Sequence, residues 1–285
     1  MELLISLLTK FFIYSIFLFS LNNIIGKSGY WAIGHICFFC TGAFVTGMLS
    51  SVFNISGGLL YFTFLIAPVT AILISLLLSL STARLKGDFF IFISISIAVL
   101  CNLVNESVAG PSGFSGIKRP TGLTSDLSIL ILSIIFFILI AIYIKSLSRH
   151  PLVRIYALTR ASEKSAMSFG IQILSNSVKL FILGSVMACL AGIMFAFYST
   201  GTDPQRFNLS EAIILFALAI IGGIDSIKGS VVAAAFYVLV IYMLDSLFTG
   251  VSNMYASKIA SLVFGVMLII AIKFKPTGLF GKSKI

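Results

Sequence analysis

The triplet Gly-Lys-Ser occurs twice in this chain, at Gly26–Ser28 and Gly281–Ser283. It is the closing half of a phosphate-cradling loop, whose backbone N–H groups wrap a nucleotide and whose lysine reaches the outer phosphates. Such a loop needs another glycine five positions earlier to make its turn. Leu21 and Pro276 stand there, so neither triplet completes a nucleotide site. Cys37 and Cys40 have the spacing of a redox pair. They lie, like Cys101 and Cys189, in apolar stretches, where cysteine packs as a small hydrophobe. His35 and His150 are the only histidines, which leaves no metal-ligating constellation.

Asn22, Asn23, His35, Asn102, Asn105, Glu106 and Asp245 lie in or beside long apolar runs. A polar or ionisable group in a bilayer is costly and is a functional candidate by default. Glu106 and Asp245 fall near the ends of their runs, within reach of water. No carboxylate is legible deep in the bundle, where an ion-coupled carrier would need one. His35 reads as a packing hydrogen bond between helices.

Around these residues the sequence is 59% hydrophobic and 10% charged, against roughly a quarter charged in soluble domains. Mean hydropathy is +1.13. The apolar runs are about 20 residues long and do not alternate, which selects membrane helices over a barrel. They fall at Leu3–Ile25, Trp31–Val52, Leu59–Leu80, Phe89–Asn105, Leu127–Leu147, Val178–Tyr198, Ala212–Ile224, Val231–Phe248 and Ala256–Phe274. The first run is too long for a cleaved signal and no small-x-small site follows it. It reads as a retained span, with Lys10 as an oddity inside it. Ala212–Ile224 reaches only about 20 Å as a helix, so it is tilted, extended through Glu211, or a half-helix. The expected fold is an all-α integral membrane protein. A single transmembrane domain over residues 1–285 would form a polytopic bundle of about 8–10 spans. "NNIIGKSGYWAIG" (Asn22–Gly34) and "AIIGGIDSIKGS" (Ala219–Ser230) echo each other. They suggest two related halves with broken or re-entrant helices, the usual pointer to a transport site.

Formal charge is +10. The basic residues collect in loops and no aromatic residues interleave with them, which excludes nucleic-acid binding. If all nine runs cross, fourteen of the nineteen lysines and arginines share one side, which places that side in the cytoplasm. It includes a polar insert at about 148–176, "RHPLVRIYALTRASEKSAMSFGIQ" at its centre. On a helical wheel Leu152, Ile155, Leu158, Ser162, Ala166 and Phe169 share a face, with Pro151 suited to the start and Gly170 to the stop. Such a helix can lie on anionic lipid, form an inert basic loop, or dock into another protein.

Five stretches in order along the chain resemble the membrane permease subunits of branched-chain amino acid ABC importers, of the LivM type. They are "GYWAIGHICFFCTGAF" (Gly29–Phe44), "RLKGDFFIF" (Arg84–Phe92), "GPSGFSGIKRP" (Gly110–Pro120), "IIGGIDSIKGSVVAA" (Ile220–Ala234) and "FKPTGLFG" (Phe274–Gly281). "RIYALTRASEKSAMSFGI" resembles the segment that in ABC importers is the coupling helix, seated in the ATPase subunit. The resemblance assigns that role to Arg154, Ala157, Arg160, Glu163, Ala166 and Gly170. It makes Gly34, His35, Asn102, Asn105, Gly222 and Gly223 candidates for the substrate pathway. Gly110, Gly113, Gly116 and Arg119 become candidates for a loop facing the binding protein. Departures are Ser112 for asparagine, Lys118 for proline and Asp225 for glycine.

The resemblance implies no catalytic residue, metal or cofactor in this chain, with ATP bound by partner subunits. The implied partners are a LivH-like second permease, two ABC ATPases and a periplasmic or lipid-anchored solute-binding protein. The implied location is the bacterial inner membrane, multi-pass and in contact with lipid. Alternative cargoes are urea and short amides, or sugars and nucleosides. An ion-coupled secondary transporter and a non-transporting scaffold are alternatives of another class.

Overall fold

The computed structural model describes residues 2–81, 88–150, 152–161, 163–247, 262–266, 269, 273 and 278–281. Ten α-helices are assigned among them: α1 Glu2–Ser28, α2 Ile36–Ser51, α3 Thr63–Ser81, α4 Asp88–Ala109, α5 Asp126–Arg149, α6 Leu152–Ala161, α7 Glu163–Ser168, α8 Ile173–Ser199, α9 Leu209–Gly222 and α10 Ile227–Leu247. Two two-residue strands, β1 Phe114–Ser115 and β2 Gly201–Thr202, pair antiparallel. Among the described residues seven helical stretches are long and apolar enough to cross a bilayer, and α9 is a shorter apolar helix. The chain is an all-α polytopic membrane protein. The expected last span, Ala256–Phe274, lies largely outside the described residues.

The core is α1, α2 and α8, whose side chains are the most buried. Lipid is as apolar as leucine, so close packing rather than hydrophobicity must hold such helices together. Glycine supplies the closeness. A Cβ on Gly42 would overlap the Cys189 carbonyl oxygen, and one on Gly192 would overlap that of Phe39. Above this contact Phe39 meets Phe17, Phe195 and Phe207, with ring centroids 5.3, 5.5 and 5.6 Å away. The outer faces of α3, α4 and α5 carry exposed leucine, isoleucine, valine and phenylalanine, the surface expected against acyl chains.

Two breaks shape the bundle. Gly29, at φ +75°, ends α1, and the chain turns back inward through Ala32 to a 3-10 turn at Ile33–His35. His35 Nε2 then meets Ser20 Oγ at 2.9 Å, so α2 starts about 12 Å inside the end of α1. The expected span from Trp31 therefore begins as irregular chain, and its helix starts only at Ile36. The second break follows α8. Thr200–Asn208 runs through β2 and a 3-10 turn at Pro204–Phe207, and Phe207 is buried. Asn208 Oδ1 accepts from Glu211 N at 2.9 Å and caps α9. Each unit is a 27-residue helix, a bend back and a short helix, and the two run in opposite directions. The counterpart of Gly29–His35 is thus Thr200–Asn208 and not Ala219–Ser230. The echo read from the sequence paired the wrong segments because both are glycine-rich, whereas the true counterpart has one glycine.

Candidate functional site

One end of the bundle gathers the Gly26–Tyr30 link, the insert, the α9–α10 turn and Gly278–Gly281. Asn22, on α1 and 4% exposed, is the hub. Its Nδ2 donates to Gly223 O at 2.9 Å, Ser230 Oγ at 2.8 Å and Ser226 O at 3.2 Å. Its Oδ1 accepts from Asp225 N at 2.7 Å. Asp225 has φ +61°, a left-handed geometry that only glycine adopts without cost. The family resemblance puts glycine there, and the Asn22 bond holds the aspartate in the same shape. A Cβ on Gly26 would lie 2.8 Å from Asp225 Cβ, so glycine there lets the turn close on α1. Lys27 donates to Asn23 Oδ1 one turn back. Asn22, Asn23, Lys27, Asp225, Ser226 and Ser230 line a small recess there. So the two segments paired in the sequence do meet, although they are not each other's repeat.

Gly222 and Gly223 belong to the same end. Gly222 packs on the Gly229 backbone, and a Cβ on Gly223 would strike the backbone of Gly281. Leu279 N donates to Ile221 O at 2.8 Å and Phe280 N to Gly222 O at 3.1 Å. These bonds satisfy carbonyls that a helix end otherwise leaves open.

The insert folds as two short helices. Gly170, at φ +73°, closes α7, with Gly170 N on Met167 O at 2.9 Å and Ile171 N on Ala166 O at 3.1 Å. This paired pattern is a glycine C-cap. Tyr156, Thr159 and Ala166 are buried, and burial, with Tyr143 adding to it, raises the Tyr156 phenol above its usual pKa. Arg160 is half-buried. Its Nη1 donates to Gly26 O at 2.7 Å, so a cation sits on the carbonyl end of α1. A Cβ on Gly29 would lie 3.0 Å from Arg160 Cγ. Arg154, Ala157 and Gly170 are exposed, and Leu158, Met167 and Phe169 are 43%, 57% and 75% exposed. The expected stripe is therefore divided: Ala166 faces inward while Leu158 and Phe169 face out. Glu163 begins α7, and its side chain lies outside the described residues.

The other end carries the long link between α4 and α5. Arg119 Nε donates to Phe197 O at 2.9 Å, Nη1 to Thr124 O at 3.0 Å and Nη2 to Tyr198 O at 3.3 Å. It also pairs with Asp126 at 2.7 Å. Gly113 is pressed on the Thr202 carbonyl, while Gly110 and Gly116, at φ +78° and +68°, are turn positions with open space around them. Lys118 N donates to Ser50 Oγ at 2.8 Å, a bond that the proline expected from the resemblance lacks the hydrogen to make. Lys10 lines an open cleft beside Arg119, Asp126 and Tyr198, which accounts for a lysine inside the first span.

Gly34, His35, Asn102 and Asn105 lie between α1, α2 and α4. Gly34 touches the Ser94 carbonyl and His35 is fully buried, bonded through one nitrogen to Ser20. Asn105 Nδ2 meets Cys40 Sγ at 3.5 Å, and the Asn102 and Asn105 carbonyl oxygens are buried without a partner among the described residues. The candidate residues thus fall into separate clusters at the two ends and in the middle.

One residue corrects the sequence reading outright. Glu211 is a carboxylate deep in the bundle. Tyr237 donates to its Oε1, and Tyr14 lies against Tyr237 with ring centroids 4.5 Å apart. Tyr14 is about 12 Å along α1 from Ser6, which bonds Tyr198 near the bundle's edge, and Tyr237 is about 15 Å along α10 from its start. In a core of roughly 30 Å both are near mid-depth. From the sequence Glu211 reads only as a possible extension of the Ala212–Ile224 run, because a residue that borders an apolar run ordinarily meets water.

Residues 3–272 match the protein family described as "Branched-chain amino acid transport system / permease component". The high-affinity branched-chain amino acid transport permease LivM of Escherichia coli K12 is 24% identical over 98% of this chain and 70% of its own length. A probable LivM of Methanocaldococcus jannaschii is 24% identical over 80% of this chain and 70% of its own. Among solved structures, PsaBC from Streptococcus pneumoniae in complex with Fab superposes with a TM-score of 0.52 at 16% identity, covering 96% of this chain and 92% of that one.

Proposed function

The chain belongs to the branched-chain amino acid transport permease family, and from that premise we propose that it lines half of the passage for branched-chain amino acids in an ATP-driven importer. It is a multi-pass membrane transport permease. In this reading it sits in a bacterial inner membrane beside a LivH-like second permease, with a solute-binding protein outside and two ATPases in the cytoplasm that bind the ATP. The observation that carries the reading is the family match over nearly the whole chain.

The structure supports a division of labour. Phe169 and Met167 are apolar, exposed and on a segment too short to cross a bilayer, a surface that favours a protein partner. They form the natural seat for the ATPase. Arg160 faces the other way, onto α1, and would pass movement of that seat to the polar hub at Asn22. Arg119 would keep the outward link stiff for the binding protein. ATP-driven closure of the ATPases would then switch the pathway between its two openings.

The test is purification of the assembled complex in mild detergent, followed by uptake in proteoliposomes. The expected result is ATP-dependent uptake of leucine, isoleucine and valine, with Phe169→Asp and Met167→Asp releasing the ATPase but leaving this chain folded. Uptake of urea, a sugar or a nucleoside in place of leucine overturns the cargo. Uptake by this chain alone, driven by an ion gradient, overturns the mechanism.

A further inference from the structure

We infer that Glu211 is the group in the passage that receives the ammonium of the cargo, with Tyr237 and Tyr14 forming the wall behind it. The inference rests on the amino acid reading above and extends it to one residue. Four observations meet at this point. The carboxylate stands near mid-depth at the head of a short helix, next to irregular chain. Non-helical backbone at that depth is tolerated only where it is buried in protein or lines a watered cavity. Asn208 and Arg206 beside it are exposed, which fits a watered passage or a subunit interface rather than lipid.

The charge is also incompletely matched. Asn208 caps the backbone, and Tyr237 gives Glu211 one neutral hydrogen bond. Among the described residues no cation lies within ion-pair distance of the carboxylate, although Arg206 acts on it from further away. A structural carboxylate in a bilayer is ordinarily paired. This one is only half-buried, so an incoming donor can reach it. Tyr237 is 5% exposed and packed between Tyr14 and Phe264, with ring centroids 4.5 and 5.7 Å away, so it forms a fixed wall behind the carboxylate. An amino acid brings the missing partner, a primary ammonium with three N–H donors. The exposed guanidinium of Arg206 provides a charge of opposite sign for the cargo's carboxylate.

Glu211→Gln separates this role from a structural one. Glutamine keeps an oxygen to accept from Tyr237 and removes only the charge. The complete importer is stalled with vanadate during uptake of radiolabelled leucine, and the label retained per complex is counted. Wild type is expected to retain leucine, and Glu211→Gln about tenfold less or lower still, as loss of one charge-assisted hydrogen bond requires. Glu211→Asp is expected to recover part of it. Thermal unfolding of the complex is expected to match wild type. As competitors, 3-methylbutylamine is expected to displace the label and 4-methylpentanoate to leave it. Retention that survives Glu211→Gln, equal competition by the acid, or uptake of leucine without retention each overturns the site alone. Retention of another solute and no leucine overturns the cargo reading together with the site. A proton taken up with each leucine and lost in Glu211→Gln would make the carboxylate a proton carrier and overturn its role as ammonium receptor.

Discussion

Replacing Arg160 with alanine is the sharpest probe of how the insert is tied to the bundle. The guanidinium donates to Gly26 O at 2.7 Å, and a hydrogen bond to a charged group contributes about 1.5–3 kcal/mol. Arg160 is half-buried, so the lower end applies. Its stem packs over Gly29, and one methylene there adds about 0.8 kcal/mol. Arg160→Ala should therefore destabilise the chain by about 2 kcal/mol. Gly29→Ala should cost about 1–2 kcal/mol for its left-handed backbone, and more because the new Cβ would stand 3.0 Å from Arg160 Cγ. In the double variant that crowding is gone, so the two losses should sum to less than their separate values by about 0.5 kcal/mol or more. Thermal unfolding of the detergent-solubilised complex measures all three. ATP consumed per leucine delivered should rise in Arg160→Ala while the ATPase remains bound. Strict additivity, or an Arg160→Ala variant with wild-type stability and coupling, would refute the contact as a mechanical link.

Three other outcomes follow from the same geometry. Asn22→Ala removes four hydrogen bonds around the α9–α10 turn and should cost about 2–5 kcal/mol at typical net values, read as a lower unfolding temperature; Asn22→Asp, which loses the donors but keeps an acceptor for Asp225 N, should be no better. Gly192→Val drives a branched side chain into the Phe39 carbonyl and should separate α2 from α8, costing about 1–3 kcal/mol and lowering the yield of monodisperse protein on size exclusion. Arg119→Lys gives up the three carbonyl contacts that one guanidinium spans and should speed protease cleavage between Gly110 and Gly122 without changing the content of helix by circular dichroism.

Long apolar runs made most of the helices legible, because a bilayer leaves a spanning chain few other options. What the runs concealed was where each helix begins. Trp31 and Ile33 are as apolar as Ile36, so the irregular entry to α2 looked like helix, and the hydrogen bond from His35 to Ser20 is what sets the start. Thr200–Asn208 is mostly polar and falls between two apolar runs, yet Phe207 carries it into the core. A helical wheel found the apolar positions of the insert but could not tell which neighbour each would meet. The resemblance gives Arg160 a role toward the ATPase, and the structure adds that its guanidinium bonds the end of α1 while Phe169 is exposed. In the sequence Asp225 is only a departure from the glycine that the resemblance expects; its left-handed backbone explains that glycine and the cost of losing it.

The bonds from Leu279 and Phe280 to the end of α9 carry a consequence for biogenesis. Those donors leave the ribosome dozens of residues after the carbonyls they serve, a delay on the order of several seconds at ordinary elongation rates. For that interval α9 cannot complete its terminus, and it must wait in the insertion machinery or beside water. A stop codon introduced before Gly278 should leave the helix permanently in that condition, so proteolysis of the incompletely folded chain, rather than transport, would be the first process to register the loss.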